Sequence, residues 1–286
     1  MKYYLFTFFL LSLLSPLSAQ NKMELNKIWI SSDLEYLDLR KSDTAYFDYG
    51  SSRLEKYVFE KKYSVFQLIQ FNKYLGVNKL EKKVISYKIE KLTADTLIIR
   101  PLTKYSKVFV ENEDKSYATK YHVNPKYVEL NNNDTYVFVD KSIIHDKHLI
   151  FDKLFFSSSS CLGSCPSMEI EIDSIGNISF NGRMHTGAYN GNYFGKLPKE
   201  KLETLIEILK SSSLENIPTT LGGGIDSPNY NLIVSYNNQI KEITGGFLYP
   251  YFNKPLFEYL LNIFEEVDLT KTEKLNFILP NKSPNR

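Results

Sequence analysis

Few of the residues that commonly build reaction centres are present. Among 286 residues there are two cysteines, four histidines and one tryptophan. Two cysteines make at most one bridge, and a chain of this length buries a sizeable core without staples. A metal centre using that pair would need two further ligands. His185 is the only histidine nearby in sequence, with His122, His145 and His148 in the other half, so no metal ligands are expected. A surplus of one charge sign is also missing: 35 Lys and Arg face 33 Asp and Glu. That balance gives no electrostatic basis for nucleic acid or an anionic membrane as partner. Past the N-terminus no apolar run approaches the roughly 20 residues that span a bilayer. Ser157 to Ser160 contain no G-x-S-x-G elbow. Gly222-Gly223-Gly224 lead to Ile225-Asp226-Ser227-Pro228 and a strand, whereas a phosphate cradle opens a helix; loop flexibility is the expected role of that run. No catalytic residue set and no cofactor are expected.

What is present begins with an export signal. Met1-Lys2 precede an apolar stretch from Tyr3 to Leu14, then Pro16 and the small residues Ser18 and Ala19. One positive charge, a short apolar helix, a breaker and small residues are what signal peptidase reads. Leu17 stands where a smaller residue is usual. The bland alternative is a retained anchor, but the run is short and ends in proline and serines. The expectation is a signal peptide over residues 1–19, cleaved after Ala19. No cysteine sits near that point, so a lipid anchor is not expected. The mature protein would be periplasmic or secreted, without stable membrane insertion.

Hydrophobic residues make up 43% and aromatics 14% of the chain, with 21 Tyr and 19 Phe. This excludes disorder and fits partly wet sheet surfaces, where the ring packs and the hydroxyl reaches water. Residues 20–150 read as short strands: Ile28-Trp29-Ile30, Tyr36 to Leu39, Ala45 to Phe47, Val108 to Val110, Tyr127 to Leu130 and Thr135 to Val139. Tyr63 to Phe71 could be strand or helix. The strongest pair, Val84–Ile89 and Thr96–Arg100, flanks a hairpin connection at Leu92 to Asp95. Turn signals lie at Asn124-Pro125 and Asn131 to Asp134. Glu60-Lys61-Lys62 and Glu81-Lys82-Lys83 read as solvated faces. The pattern predicts a barrel or sandwich. From Trp29 through the hairpin Tyr87 to Ile99 it resembles the small lipocalin-like barrels of exported bacterial proteins. That resemblance implies an interior able to hold a small apolar ligand. Barrel size favours instead an interior filled by side chains such as Phe47, Ile89 and Ile98.

Residues 151–270 are more regular. Met168, Ile170 and Ile172 alternate with Glu169, Glu171 and Asp173, and a Gly176-Asn177 turn returns through Ile178 and Phe180. Pro198 opens a helix with Leu202, Leu205, Ile206 and Leu209 on one face, ended by Ser211 to Ser213. A hairpin follows, Leu232, Val234 and Tyr236 against Ile240 and Ile243. A last helix from Pro255 carries Leu260, Ile263, Phe264 and Val267. The predicted class is α+β: an N-terminal β-rich barrel or sandwich, then an antiparallel sheet with two helices on one face. Residues 271–286 form a polar tail, apart from the apolar patch Phe277 to Leu279.

Cys161-Leu162-Gly163-Ser164-Cys165-Pro166 is the one motif. Two cysteines four apart in an exported chain are expected to be oxidised. Gly163 would let the loop curl, and Pro166 would stiffen its exit. A redox-active pair usually has C-x-x-C spacing at a helix N-terminus; this pair enters a strand, and thiol chemistry is the alternative reading. The box, the Phe155-Phe156-Ser157 lead-in, Gly176, Gly182 and the Pro-started helix resemble the bacterial family called domain of unknown function 6438. Leu162 and Met168 replace residues that are often aromatic there. The resemblance implies a fold and an envelope location, and no activity. Arg183 and His185, at a hairpin end, are the remaining contact candidates. The functional expectation is a non-catalytic binding or interaction module with an unidentified envelope or extracellular partner. The alternatives are a thiol-dependent redox protein using Cys161 and Cys165, and a carrier of a small apolar ligand.

Overall fold

The computed structural model describes residues 25–48, 53–73, 80–102, 105–111, 117–123, 135–275 and 277. The expected signal peptide, the strand at Tyr127 to Leu130 and the turns at Asn124-Pro125 and Asn131 to Asp134 lie outside them. Among the described residues no helix is long and apolar enough to cross a membrane.

The N-terminal half is a closed barrel. Its strands in chain order are β1 (Ile28–Ser31), β2 (Tyr36–Asp38), β3 (Thr44–Asp48), β4 (Glu55–Lys62), β5 (Val65–Lys73), β6 (Leu80–Leu92), β7 (Thr96–Pro101), β8 (Tyr105–Glu111), β9 (Tyr117–Val123) and β10 (Tyr136–Asp140). Neighbours follow the order β5-β4-β3-β2-β1-β10-β7-β6, and a β5–β6 pairing closes the ring at eight antiparallel strands. Strand β6 makes closure possible because it is 13 residues long. Its first part pairs with β5 on one edge and β8 on the other, while its second part turns to β7 through a register shift at Ile89/Lys91. Such a bulge bends a strand and sharpens its twist. The ambiguous segment Tyr63 to Phe71 is the turn into β5 and β5 itself. The charged stretch ending Glu60-Lys61-Lys62 belongs to a strand that composition hid: in β4 only Tyr57 and Phe59 face inward.

Period-two alternation sorts the side chains. Trp29, Leu37, Phe66, Leu68, Leu97 and Phe138 are fully buried inside the barrel. Phe66 stacks on Tyr87 with ring centroids 5.3 Å apart. The interior is therefore occupied by the chain's own aromatic rings. Phe47 is among them and Ile89 packs partly against them. Ile98 does not: in β7 the inward residues are Leu97 and Ile99, one position either side.

The second sheet comprises β11 (Phe151–Ser158), β12 (Ser167–Asp173), β13 (Asn177–Met184), β14 (Gly191–Lys196), β15 (Thr220–Leu221), β16 (Asn229–Tyr236), β17 (Gln239–Gly246) and β18 (Leu269–Lys271), in the order β15-β17-β16-β11-β12-β13-β14-β18. It is mixed and not wholly antiparallel, because β15 runs parallel to β17. Helices α1 (Lys199–Lys210) and α2 (Lys254–Asn262) cover one face. Phe257 of α2 stacks on Tyr249 at 4.3 Å, and Phe264 stacks on Phe180 of β13 at 4.8 Å. The expected last helix is shorter than its apolar spacing implied. It ends at Asn262, and Ile263–Glu266 continue as a tighter 3-10 turn that still buries Ile263 and Phe264. Of the second hairpin's isoleucines, Ile243 is buried and Ile240 is 65% exposed; three residues apart on a strand, they must face opposite ways. On the face away from the helices, Phe277 meets the fully buried Phe155 edge-on at 5.6 Å. That part of the tail folds back onto the sheet.

Barrel and second sheet share one apolar cluster. In β1 and β2 the alternation sends Trp29 and Leu37 into the barrel, but Ile30 and Tyr36 outward into the cluster beneath α2. Leu34, in the connecting turn, joins them at 1% exposure with φ 61°, a left-handed conformation that leucine adopts only where the surroundings hold it. Tyr36 meets Tyr251 edge-on at 5.3 Å, and the Tyr251 N–H donates to the fully buried Asp48 carboxylate at 2.9 Å. Leu34→Ala is expected to cost about 3 kcal/mol, since truncating a buried leucine typically costs 2–5. Urea denaturation measures it; a loss below about 1 kcal/mol would mean the junction does not hold the fold.

Candidate functional site

The strand order collects several loops at one end of the second sheet. Strands β11, β13 and β17 finish there, and β12, β14 and β16 begin there. The cysteine box is the β11–β12 loop. Cys161 and Cys165 are joined by a disulfide with Cα atoms 5.5 Å apart. Ser158 Oγ donates to the Pro166 carbonyl at 2.5 Å and ties the loop's two feet together. Gly163 has neither a left-handed backbone nor a close neighbour. A Cβ there would meet Cys161 Sγ at 3.6 Å, an ordinary contact, so the curl does not depend on glycine.

The loop before β16 lies alongside. Ser159 N–H donates to the Asn229 carbonyl at 2.9 Å, Asn229 N–H donates to Ser159 Oγ at 2.9 Å, and Leu162 N–H donates to the Asp226 carbonyl at 3.1 Å. Within this loop Ser227 Oγ accepts from Gly224 N–H at 3.0 Å. Gly222 to Gly224, expected to give loop flexibility, divide: Gly224 has open space around it, whereas Gly223 packs closely on Gly246. A Cβ on Gly246 would fall 2.3 Å from the Gly223 Cα, and one on Gly245 (φ 130°) would fall 2.2 Å from the Leu221 carbonyl oxygen. These glycines exist for close backbone approach, which pins the loop to the end of β17.

The two pinned loops hold apolar side chains out in water. Leu162 is 85% exposed and Ile225 96% exposed. Met184, paired with Ser167 at the exit of the box, is 52% exposed. The sequence reading passed over all three. The available signal was an aliphatic residue placed among turn formers, Cys161-Leu162-Gly163 and Gly224-Ile225-Asp226, where no core can reach it.

The expected contact residues also sit at this end, in other roles. Arg183 is engaged on the sheet face: its Nη2 lies 2.5 Å from Glu169 Oε1, and its Nε donates to Asn181 Oδ1 at 3.2 Å. His185 is exposed with φ 55°, at the start of the β13–β14 turn. Burial pushes the hydroxyl of Tyr230, at the base of β16, up to about 12. His145 and His148 precede the cysteine box in sequence and do not join it: His145 Nε2 lies 3.0 Å from Glu207 Oε2 on α1. Among the described residues no group of three His, Cys, Asp or Glu side chains could hold a metal ion. What the loop end can do chemically is bury apolar surface against something else.

Residues 152–268 match the family model described as domain of unknown function (DUF6438). The match covers the second sheet from β11 to the end of the α2 region, including the box and both pinned loops. No curated protein and no solved structure is significantly similar to the chain.

The glycines of this end separate by geometry. A Cβ on Gly182 would lie 1.9 Å from the Tyr189 carbonyl oxygen and 2.6 Å from Thr186 Oγ1. Gly182→Ala is expected to lose about 3 kcal/mol, at the upper end for overpacking, while Gly163→Ala stays within about 0.5 kcal/mol of the parent. Thermal and urea unfolding of the two variants check this. Equal losses would refute the distinction.

Proposed function

We propose that the protein is an exported, non-catalytic interaction module whose contact surface is the disulfide-pinned loop end of the second sheet. The carrying observation is the pair Leu162 and Ile225, 85% and 96% exposed on two loops that are bonded to each other. Fully burying such a side chain contributes about 1.5–3 kcal/mol, so two or three of them on a pre-ordered platform make a small hot spot. The partner is a protein of the envelope or the extracellular space. A lipid surface is disfavoured by chemistry: Arg183 is already held by Glu169, and Asp226 lies beside Ile225, so the tips lack the basic rim that anionic headgroups need. An export address is supported by the N-terminal pattern Lys2, Tyr3 to Leu14, Pro16 and Ala19 together with the bonded cysteines.

In this reading the disulfide is a staple and not a reagent. It precedes a strand, so no helix dipole depresses a thiol pKa. The ring it closes is short, at a sequence separation of 4, and its entropic contribution in the chain model is about 2 kcal/mol. The carrier alternative loses its support because aromatic rings occupy the barrel interior.

The test is site-specific photo-crosslinking in the native envelope, with the probe at Leu162 or Ile225 and, as control, at Ile175, which is 62% exposed on the turn at the far end of β12. A discrete protein adduct from the first two positions is expected, absent from Ile175, with the Ile225 adduct lost when Leu162→Asp is added. Equal labelling from all three, or flotation of the purified chain with liposomes, would refute the reading.

A further inference from the structure

A second site lies away from the loop end, where the barrel meets α1. A cleft of about 500 Å3 opens there, lined by residues of both halves. The barrel contributes Lys27 and Arg40, the 3-10 turn Lys141–Ile143 and its flanks contribute Asp140, Lys141 and His145, and the end of α1 contributes Ser211.

The charges of this cleft do not cancel. Asp140 is taken by Lys27 at 2.6 Å and also accepts from Ser142 N–H at 2.8 Å. Asp38 is taken by Arg40 in a forked pair, 3.0 Å from Nε and 2.7 Å from Nη2. His145 sits on Glu207, which also holds Lys210. Lys141 is the cation left over. Among the described residues no oxygen accepts from its Nζ; it lies over the Tyr36 and Phe252 rings at 5.8 and 6.0 Å. Burial and the neighbouring Arg40 charge hold the Lys141 ammonium below its ordinary pKa, against the smaller opposing pull of the Asp38 carboxylate. Three cations, Lys27, Arg40 and Lys141, thus line one opening against two carboxylates, Asp140 and the adjoining Asp38, which leaves one positive charge over. The fork on Asp38 leaves Arg40 Nη1 without a partner among the described residues.

We propose that this cleft binds a small organic monocarboxylate, its carboxylate between Lys141 Nζ and Arg40 Nη1 and its apolar body against Ile28 and Ile144. One surplus charge fits a monoanion, and a guanidinium edge presents its N–H groups in the plane that a carboxylate prefers. Ile28 and Ile144 supply the apolar part of the lining. The junction is the kind of place where such sites form, between two packed units. The site lies apart from the loop end, and its occupancy does not depend on the partner proposed there.

The experiment is calorimetric titration of the purified chain with hexanoate, hexanamide and inorganic phosphate. Saturable binding of hexanoate alone is expected, weakened about tenfold by Lys141→Met, as removal of one charge-assisted hydrogen bond requires, and largely retained in Lys141→Arg. Arg40 is exposed, so Arg40→Gln gives a second reading should Lys141→Met fold poorly; it is expected to weaken hexanoate severalfold. No saturable hexanoate binding, equal binding of hexanamide, preference for phosphate, or affinity unchanged in both Lys141→Met and Arg40→Gln would each overturn the proposal.

Discussion

One apolar cluster spans the two sheets, and the rest of the molecule is arranged around it. It exists because a single strand pair, β1 and β2, serves two cores at once. Trp29 and Leu37 fill the barrel while Ile30 and Tyr36, on the opposite pleat, enter the cluster under α2. A one-residue slip in either strand would exchange these sets and spoil both cores. Leu34 and Asp48 seal the seam, one as a buried left-handed plug and the other as a buried acceptor for Tyr251 N–H. Alternation in two short strands therefore fixes where the barrel sits.

Two features follow from that seam. The helix layer packs on its own sheet and, at the junction, on the barrel, while the exposed apolar residues Leu162 and Ile225 lie on the loops at the sheet's end. There the order is local: a disulfide, a Ser158 hydroxyl clasp, and glycines whose missing Cβ atoms let backbones touch. At the seam itself polar groups from both halves converge, and the charged residues left over line the cleft that holds Lys141.

Much of the fold was legible in the sequence. The strands Val84–Ile89 and Thr96–Arg100, the α1 periodicity and the alternation of β12 are local patterns, and local patterns survive folding. Strand β4 was hidden because its outward residues are Lys and Glu apart from Val58, leaving a single apolar triplet, Tyr57 to Phe59, to mark it. Ile98 was assigned to the wrong face because Leu97, Ile98 and Ile99 are all apolar, and parity cannot be read from a continuous run. The parallel β15 is two residues long and carries no periodicity at all. For the candidate site, the cysteine box was visible as a motif, but its exposed apex was not. Exposure of Leu162 and Ile225 depends on two loops meeting across β11 and β16, a non-local fact. The Lys141 cleft is less legible still, since Arg40, Lys141 and Ser211 come together only through tertiary packing.

The shared cluster makes a demand on folding: barrel and second sheet should stand or fall together. The only tryptophan, Trp29, is fully buried in the barrel, so its fluorescence reports that half alone. Hydrogen exchange at the Leu205 and Leu209 amides of α1 reports the other. Urea unfolding followed by both probes should give one midpoint, the mark of a single cooperative unit. Two separate midpoints, with the barrel unfolding independently of α1, would contradict the seam as the organising constraint.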